Sequence, residues 1–480
     1  MKYEMTVKSD KPNFTNSQQT AVNNIIDFIA KPFNEVDNIR GLSGAGGTGK
    51  TFVLKYIIRH SKWNPSMFTL TAPTHKACRV LEQSANHTAI TIQSCFGFKL
   101  DVDIDNFDPN RPEFRPIGKT KINSDNTKVL VIDEASMLNY HLVNYIKKFC
   151  AKNSIKILFC GDASQLPPVN ENTSRAFSVS NKVFYLNEIV RQEDNNPISD
   201  LLKILRSDID NKTFNFLTTI YNKRECYNES GKGYKVFTRN EFPAIVKEKF
   251  NDVEFTTNID KYRLVAYTNR AVTTWNKFIR QNIIENAERT ILNKNDLIMS
   301  YNTIVNEFND IVLYNSEEYI IEDIANYVDP VYTFKGFLCN FRAIHGGGLT
   351  KGLFILNHND SYTINRYYTE IDTLVNNAKS ANKNEASRYW KKYFDFKRKY
   401  LLLANLADST GKIMFTRDID YGFAITSHRA QGSTYENVFV DINDICYDKY
   451  GKPYTNINEV LRRIYVACSR VRNNLFLCYG

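Results

Sequence analysis

Gly44-Ala-Gly-Gly-Thr-Gly49-Lys50-Thr51 is the stretch on which the reading of this chain turns. It satisfies G-x-x-x-x-G-K-[ST] and lies between a short apolar run, Ile39–Ser43, and a helical stretch containing Phe52–Ile58. Strand, glycine loop and helix in that order make a phosphate cradle. Backbone N–H groups of Gly44, Gly46, Gly47, Thr48 and Gly49 can curl around an anion, and the helix N-terminus adds positive potential. Lys50 then reaches the β- and γ-phosphates, and the Thr51 hydroxyl is placed to ligate Mg²⁺. A second box, Val129-Leu-Val-Ile-Asp133-Glu134-Ala-Ser136, is an apolar strand that ends in two acids. The C-terminal ends of strands are where α/β sheets bind ligands. Asp133 is therefore the expected Mg²⁺ ligand, through water, and Glu134 the expected base that orients and deprotonates an attacking water. The two boxes together predict a nucleoside triphosphate hydrolase.

Working outward, β-rich runs separated by helical stretches continue at Met67–Ala72, Ile155–Cys160 and Val183–Leu186, the alternation of a parallel sheet covered on both faces. The pattern resumes at Arg263–Tyr267, Tyr421–Ser427, Val438–Ile442, Ile464–Ala467 and Leu475–Tyr479, which predicts a second α/β unit. Two stretches interrupt it, Phe96 to about Ser124 and about Asn295 to Ile419. The longer one reads as short antiparallel strands over Ile311–Ile321 and Val331–Phe354, then helix over Tyr368–Leu406. A length of 480 residues is consistent with several domains. The formal charge of +10 favours an anionic partner. Nine Cys with no C-x-x-C pair read as reduced thiols, and the polar start and lack of any 18-residue apolar run disfavour secretion and membrane spanning. A cytoplasmic protein is expected, in the host-cell cytoplasm for a phage-encoded chain.

Further boxes carry a family resemblance. Phe14-Thr-Asn-Ser-Gln18-Gln-Thr-Ala21 resembles a helicase Q-motif, Thr71-Ala-Pro73-Thr74-His75-Lys-Ala motif Ia, Thr91-Ile-Gln-Ser94 motif Ib, and Gly161-Asp-Ala-Ser-Gln165-Leu-Pro-Pro-Val169 motif III. Tyr267-Thr-Asn-Arg270 resembles motif IV, Thr426-Ser427-His428-Arg-Ala-Gln431-Gly432-Ser433 motif V, and Tyr465-Val-Ala-Cys-Ser-Arg470 motif VI. In this order they resemble the B branch of superfamily-one helicases, in particular its phage-replication, Dda-like and RecD-like members. Phe14 in place of Leu and Gln93 in place of His depart from the family pattern without touching the hydrolytic residues.

The resemblance implies two RecA-like P-loop domains with parallel sheets, 1–95 with 125–182 and 183–294 with 420–480. It also implies a hairpin insertion at 96–124 and an inserted SH3-like β-barrel with a helical tower at 295–419. Gln18 would read the adenine of ATP, Gln165 would sense the γ-phosphate, and Gln431 and Gly432 would sit at the nucleotide. Arg270 and Arg470, each read as following a strand of the second unit, are candidates for a cation brought to the γ-phosphate from across a cleft. Pro73, Thr74, His75, Thr91, Phe98, Ser427 and His428 would line a groove that grips backbone phosphates without reading bases. Phe107, Pro112, Phe114 and Pro116 mark the first insertion, with Phe114 either a strand-splitting pin or an anchor for the hairpin. Tyr389, Tyr393, Phe396 and Tyr400 share a helical face amid Arg388, Lys391, Lys392, Lys397, Arg398 and Lys399. That helix either docks on its own protein or stacks on bases.

The resulting expectation is an ATP- and Mg²⁺-dependent 5′–3′ DNA helicase of phage replication or recombination type. Its partners would be single-stranded and fork DNA, with a single-strand-binding or replisome protein as further candidates and no membrane. An RNA helicase of the same superfamily and a nucleotide-gated clamp that does not unwind remain as alternatives.

Overall fold

The computed structural model describes residues 12–101, 113–115, 120–168, 171, 173–188, 196–306, 311–344, 348–407 and 410–480. Six strands form a wholly parallel first sheet in the order Ala89–Thr91, Phe68–Ala72, Val129–Ile132, Lys156–Gly161, Ile39–Gly44, Lys182–Leu186. Val129–Ile132 and Lys156–Gly161 are buried at every position, as strands covered on both faces must be. Alternation divides the sheet's side chains: Val129 and Val131 join Val22, Ile25, Val53 and Leu54 on one face, while Leu130 and Ile132 join Val143, Ile146 and Cys150 on the other.

The second sheet has the order Ala424–Thr426, Tyr262–Ala266, Tyr435–Asp441, Val471–Cys478, Gly233–Phe237, Glu225–Tyr227, parallel except for the last pair. Between these units lies a third, antiparallel sheet of Leu349–Leu356, Lys335–Ala343, Glu318–Val328, Leu297–Ser300 and Ile419–Tyr421. Two helices, Ser361–Ser380 and Lys383–Lys399, pack together beyond it. In the first insertion Lys99–Asp101 pairs antiparallel with Glu113–Arg115, Leu100 opposite Phe114. The Phe114 side chain, and Phe107, Pro112 and Pro116, lie outside the described residues. No helix among the described residues is long and apolar enough to cross a membrane.

Three sequence expectations are corrected. Ile464–Ala467 is not a strand but part of the helix Ile457–Cys468, capped at Asn456, whose side chain accepts from Glu459 N–H. The helix is buried at most positions from Val460 to Cys468, and its apolar run Ile464–Ala467 taken alone suits a strand, although Asn458, Glu459, Arg462 and Arg463 recur at helical spacing. Lys182–Leu186 pairs with Ile39–Gly44, Leu42 opposite Phe184, so the first unit extends past residue 182. On the tower helix the buried row is Ala386, Trp390, Tyr393, Phe396 and Tyr400, with Tyr389 at its flank. These rings pack on Phe334, Tyr367 and Phe415 of the same insertion, so the helix docks on its own protein.

Replacing Trp390 with Ala should therefore remove about 3–5 kcal/mol from the unfolding transition of this insertion. Tyr389→Ala should lose less than half as much, as read by urea denaturation followed by circular dichroism. Equal losses would contradict the observed face.

Candidate active site and strand groove

The glycine loop connects Ile39–Gly44 to the helix Lys50–His60. Gly47 and Gly49 take φ of 83° and 80°, left-handed values that a side chain disfavours. A Cβ on Gly44 would come within 2.4 Å of Thr48 Oγ1, which donates to Ala45 O. Lys50 Nζ lies inside the cradle and donates to the carbonyls of Gly44 (2.8 Å) and Ala45 (3.1 Å). Gln18 is buried beneath the loop. Its Oε1 accepts from Thr15 N–H, closing a capping box at the start of the helix Asn16–Ala30, and its Nε2 donates to Thr48 O at 3.0 Å. A Cβ on Gly49 would meet Gln18 Nε2 at 2.6 Å, so this glutamine braces the loop directly.

Val129–Ile132 delivers Asp133 and Glu134 to the same end of the sheet. Asp133 N–H is held by Thr71 O at 2.8 Å. Glu134 takes the left-handed conformation, φ 49°, a strained state for a residue with a side chain and one that recurs at functional sites. Burial raises the affinity of its carboxyl for a proton, and the charge of Asp133 raises it further. Arg470 and Lys50 act in the opposite sense. Ser136 Oγ, two residues after Glu134, and Gln165 Oε1, in the loop after the neighbouring strand Lys156–Gly161, are buried and have no hydrogen-bond partner among the described residues. An acceptor and a hydroxyl left idle in this way fit a site for ordered water. Thr51 and Asp133 add hard oxygen donors, and no cluster of three metal-ligating side chains occurs among the described residues. That set suits Mg²⁺, which takes one or two protein oxygens and completes its shell with phosphates and water.

The second unit reaches this site through the helix Ile457–Cys468. Tyr465 OH donates to buried Asp162 at 2.6 Å, and Arg462 NH1 donates to the carbonyls of Ala163 (2.6 Å) and Gln165 (2.8 Å). Gln431 Nε2 donates to Leu166 O at 3.0 Å. Arg470 follows the C-terminus of this helix rather than a strand. It is held by Val466 O, Ser433 O and Ser469 Oγ, within electrostatic reach of Glu134. Arg270, by contrast, is exposed at the start of the helix Asn269–Ile283, and its guanidinium makes no ion pair or hydrogen bond among the described residues.

A cleft of about 1170 Å³ lies between the units. Thr74, Leu166, Tyr267, His428, Gln431 and Gly432 line it, which groups the last two with the groove residues. Several predicted phosphate contacts have other duties. Thr74 and Thr91 hydroxyls cap helices, accepting from Ala77 and Ser94 N–H, and buried Ser427 donates to Ala266 O. Pro73 is half-buried just after the strand Phe68–Ala72, and Phe98 packs edge-on against Phe96 and Tyr145. Burial and the nearby cations Arg79 and Lys121 bring His75 down to about 4, so its ring, 4.0 Å from that of Tyr314, is neutral at pH 7.

Sequence reasoning did not anticipate several neighbours in the cleft. Arg429 and Arg417 lie 3.5 and 4.4 Å from the ring centre of Tyr301, and Arg463 lies 3.3 Å from that of Tyr267. Arg429 sits inside motif V and Arg463 just before motif VI, so motif proximity could have flagged them. Tyr301 and Arg417 flank the insertion far apart in the chain and carry no local signal. At the edge of the cleft, buried Glu318 of the third sheet binds Lys76 (3.1 Å), Arg263 (2.9 Å) and Tyr435 OH (3.0 Å), and Glu317 binds Arg79 (3.2 Å). One turn of the insertion is thus tied to motif Ia and to the second sheet.

Comparison with known proteins gives the following. Residues 15–220 match the family model described as an AAA domain. The ATP-dependent DNA helicase dda of Enterobacteria phage T4 is 22% identical, over 94% of this chain and 97% of that protein. An uncharacterized protein of Acanthamoeba polyphaga mimivirus is 25% identical, over 96% and 99%. The ATP-dependent DNA helicase PIF1 of Candida albicans is 30% identical over 35% of this chain and 19% of its own length. Among solved structures, the Bacteroides Pif1 helicase in complex with ADP-AlF3 and ssDNA aligns over 96% of this chain and 92% of its own, with 16% identity and a TM-score of 0.47.

Lys50→Ala should abolish ATP hydrolysis and weaken ATP binding, because the cation facing the phosphates is lost. Glu134→Gln should retain ATP binding while turnover falls by about a hundredfold or more. Near-parental turnover in Glu134→Gln would remove the assignment of the base.

Proposed function

We propose that this chain, which belongs to the superfamily-one B helicases, hydrolyses ATP to move 5′ to 3′ along single-stranded DNA and to separate the duplex ahead of it. The observation that carries this reading is Glu134, strained and half-buried, with Lys50 of its own unit and Arg470 of the other both acting on its charge. Lys50 holds the β- and γ-phosphates, and Glu134 takes the proton of the attacking water. Arg470 meets the charge that builds on the γ-phosphoryl group. Mg²⁺, when held through Thr51 and Asp133, supplies further neutralisation of the phosphate oxygens. Gln165, with its backbone gripped by Arg462, senses the γ-phosphate through its amide N–H groups and passes its loss to the second unit.

Residues 1–95 with 125–186, and 187–294 with 420–480, act as the two RecA-like motor units. The stretch 96–124 is the pin and 295–419 the SH3-like insertion with its tower. The cleft is the path of the strand. Its lining of hydroxyl, imidazole, amide and guanidinium groups suits backbone contacts that tolerate any base sequence. The names of the T4 and Candida relatives support DNA as the substrate, and the B-branch motifs support the polarity.

Strand displacement on tailed duplexes tests the whole reading. A duplex with a 5′ single-stranded tail should be unwound with ATP and Mg²⁺, whereas one with a 3′ tail should not. Unwinding of the 3′-tailed duplex alone would reverse the polarity, and ATP turnover with no displacement of either would reject unwinding.

A further inference from the structure

Within the cleft, Arg463 has buried hydrogen-bonding groups without a partner among the described residues. Arg463 lines the cleft but is only 4% exposed. Its NH2 donates to Glu459, one turn earlier on the same helix. Its Nε and NH1 have no hydrogen-bond partner among the described residues. Leaving buried donors of a charged group unmatched is costly, so two on one guanidinium call for a ligand.

The surroundings indicate which kind. The faces of Tyr267, 3.3 Å away, and Tyr454, 5.4 Å away, hold the cation by its plane and do not use its N–H groups. His428 on the same cleft is kept neutral by burial first and then by the charge of Arg463. Arg462, the preceding residue, also lines the cleft but is committed to the carbonyls of Ala163 and Gln165, which leaves Arg463 as the member of the pair with unmatched buried donors. A weakly hydrated guanidinium in a partly enclosed, cationic cleft is suited to a phosphate oxygen.

We propose that Arg463 binds a backbone phosphate of the single strand through these two idle N–H groups. This rests on the reading of the cleft as the strand groove. The contact sits one residue from Arg462 and two from Tyr465, the residues that grip the loop of Gln165, so a strand held here bears directly on the hydrolytic site.

The test uses the full chain and a fluorescein-labelled dT oligonucleotide, titrated by anisotropy across a series of potassium chloride concentrations, with R463Q, R463K and the parental protein. R463Q should bind about tenfold more weakly. Its slope of log affinity against log salt should be shallower by about 0.7, the share of one neutralised phosphate. R463K, which keeps the charge, should retain the parental slope. The oligonucleotide concentration for half-maximal ATPase stimulation should rise in R463Q by the same factor as the affinity falls. Parental affinity and slope in R463Q would overturn the assignment. A lowered Tm with weaker binding at unchanged slope would also overturn it, because Arg463 would then serve only to pack its helix. A parental protein that does not bind the oligonucleotide would instead reject the groove itself, a result visible without any variant.

Discussion

The buried hydrogen bond from Tyr465 OH to Asp162 holds the machine together, because it fixes the helix of one unit against the hydrolytic edge of the other. With Arg462 gripping the carbonyls of Ala163 and Gln165, it forms a bridge of donors to a carboxylate and two backbone acceptors. Hydrogen bonds to charged groups contribute about 1.5–3 kcal/mol each, and removing one partner of a buried pair leaves the other stranded. The bridge therefore sets position more than it adds stability. The same helix that makes it ends beside Arg470, so the register of Tyr465 on Asp162 also decides where the cation stands relative to Glu134.

A second set of charges anchors the insertion. Glu318 is fully buried and answered by Lys76 of the first unit and by Arg263 and the Tyr435 hydroxyl of the second. Buried ion pairs seldom add much net stability, since desolvation offsets the attraction, but they penalise any arrangement that separates them. Placed where three modules meet, the cluster makes the position of the third sheet depend on both α/β units. The tower lies beyond this junction and is held by its own ring cluster around Trp390 and Tyr400.

The sequence made the chemistry more legible than the geometry. The glycine loop and the acid pair could be read because their spacing is dictated by phosphate and metal, and both lie at strand ends as expected. The helix Ile457–Cys468 was missed because its run Ile464–Ala467 alone suits a strand, whereas the helical spacing of Asn458, Glu459, Arg462 and Arg463 shows only over the longer stretch. Thr74, Thr91 and Ser427 suggested phosphate contacts, yet their hydroxyls serve helix caps and a strand end, a competing use that motif position does not reveal. Tyr301 with Arg417, and Lys76 with Glu318, depend on contacts between distant segments, which no local pattern encodes. The edge strand Lys182–Leu186 belongs to the first sheet because of its pairing, whereas its composition suits either unit.

The central claim is that the hydrolytic site is completed across the two units, and single-turnover ATP hydrolysis by Arg470→Ala tests it most directly. Nucleotide affinity should stay within a few-fold of the parental value while the rate falls by about 10³, since such a cation acts on charge that develops in the transition state. A parental rate, or a loss of binding as large as the loss of rate, would contradict it.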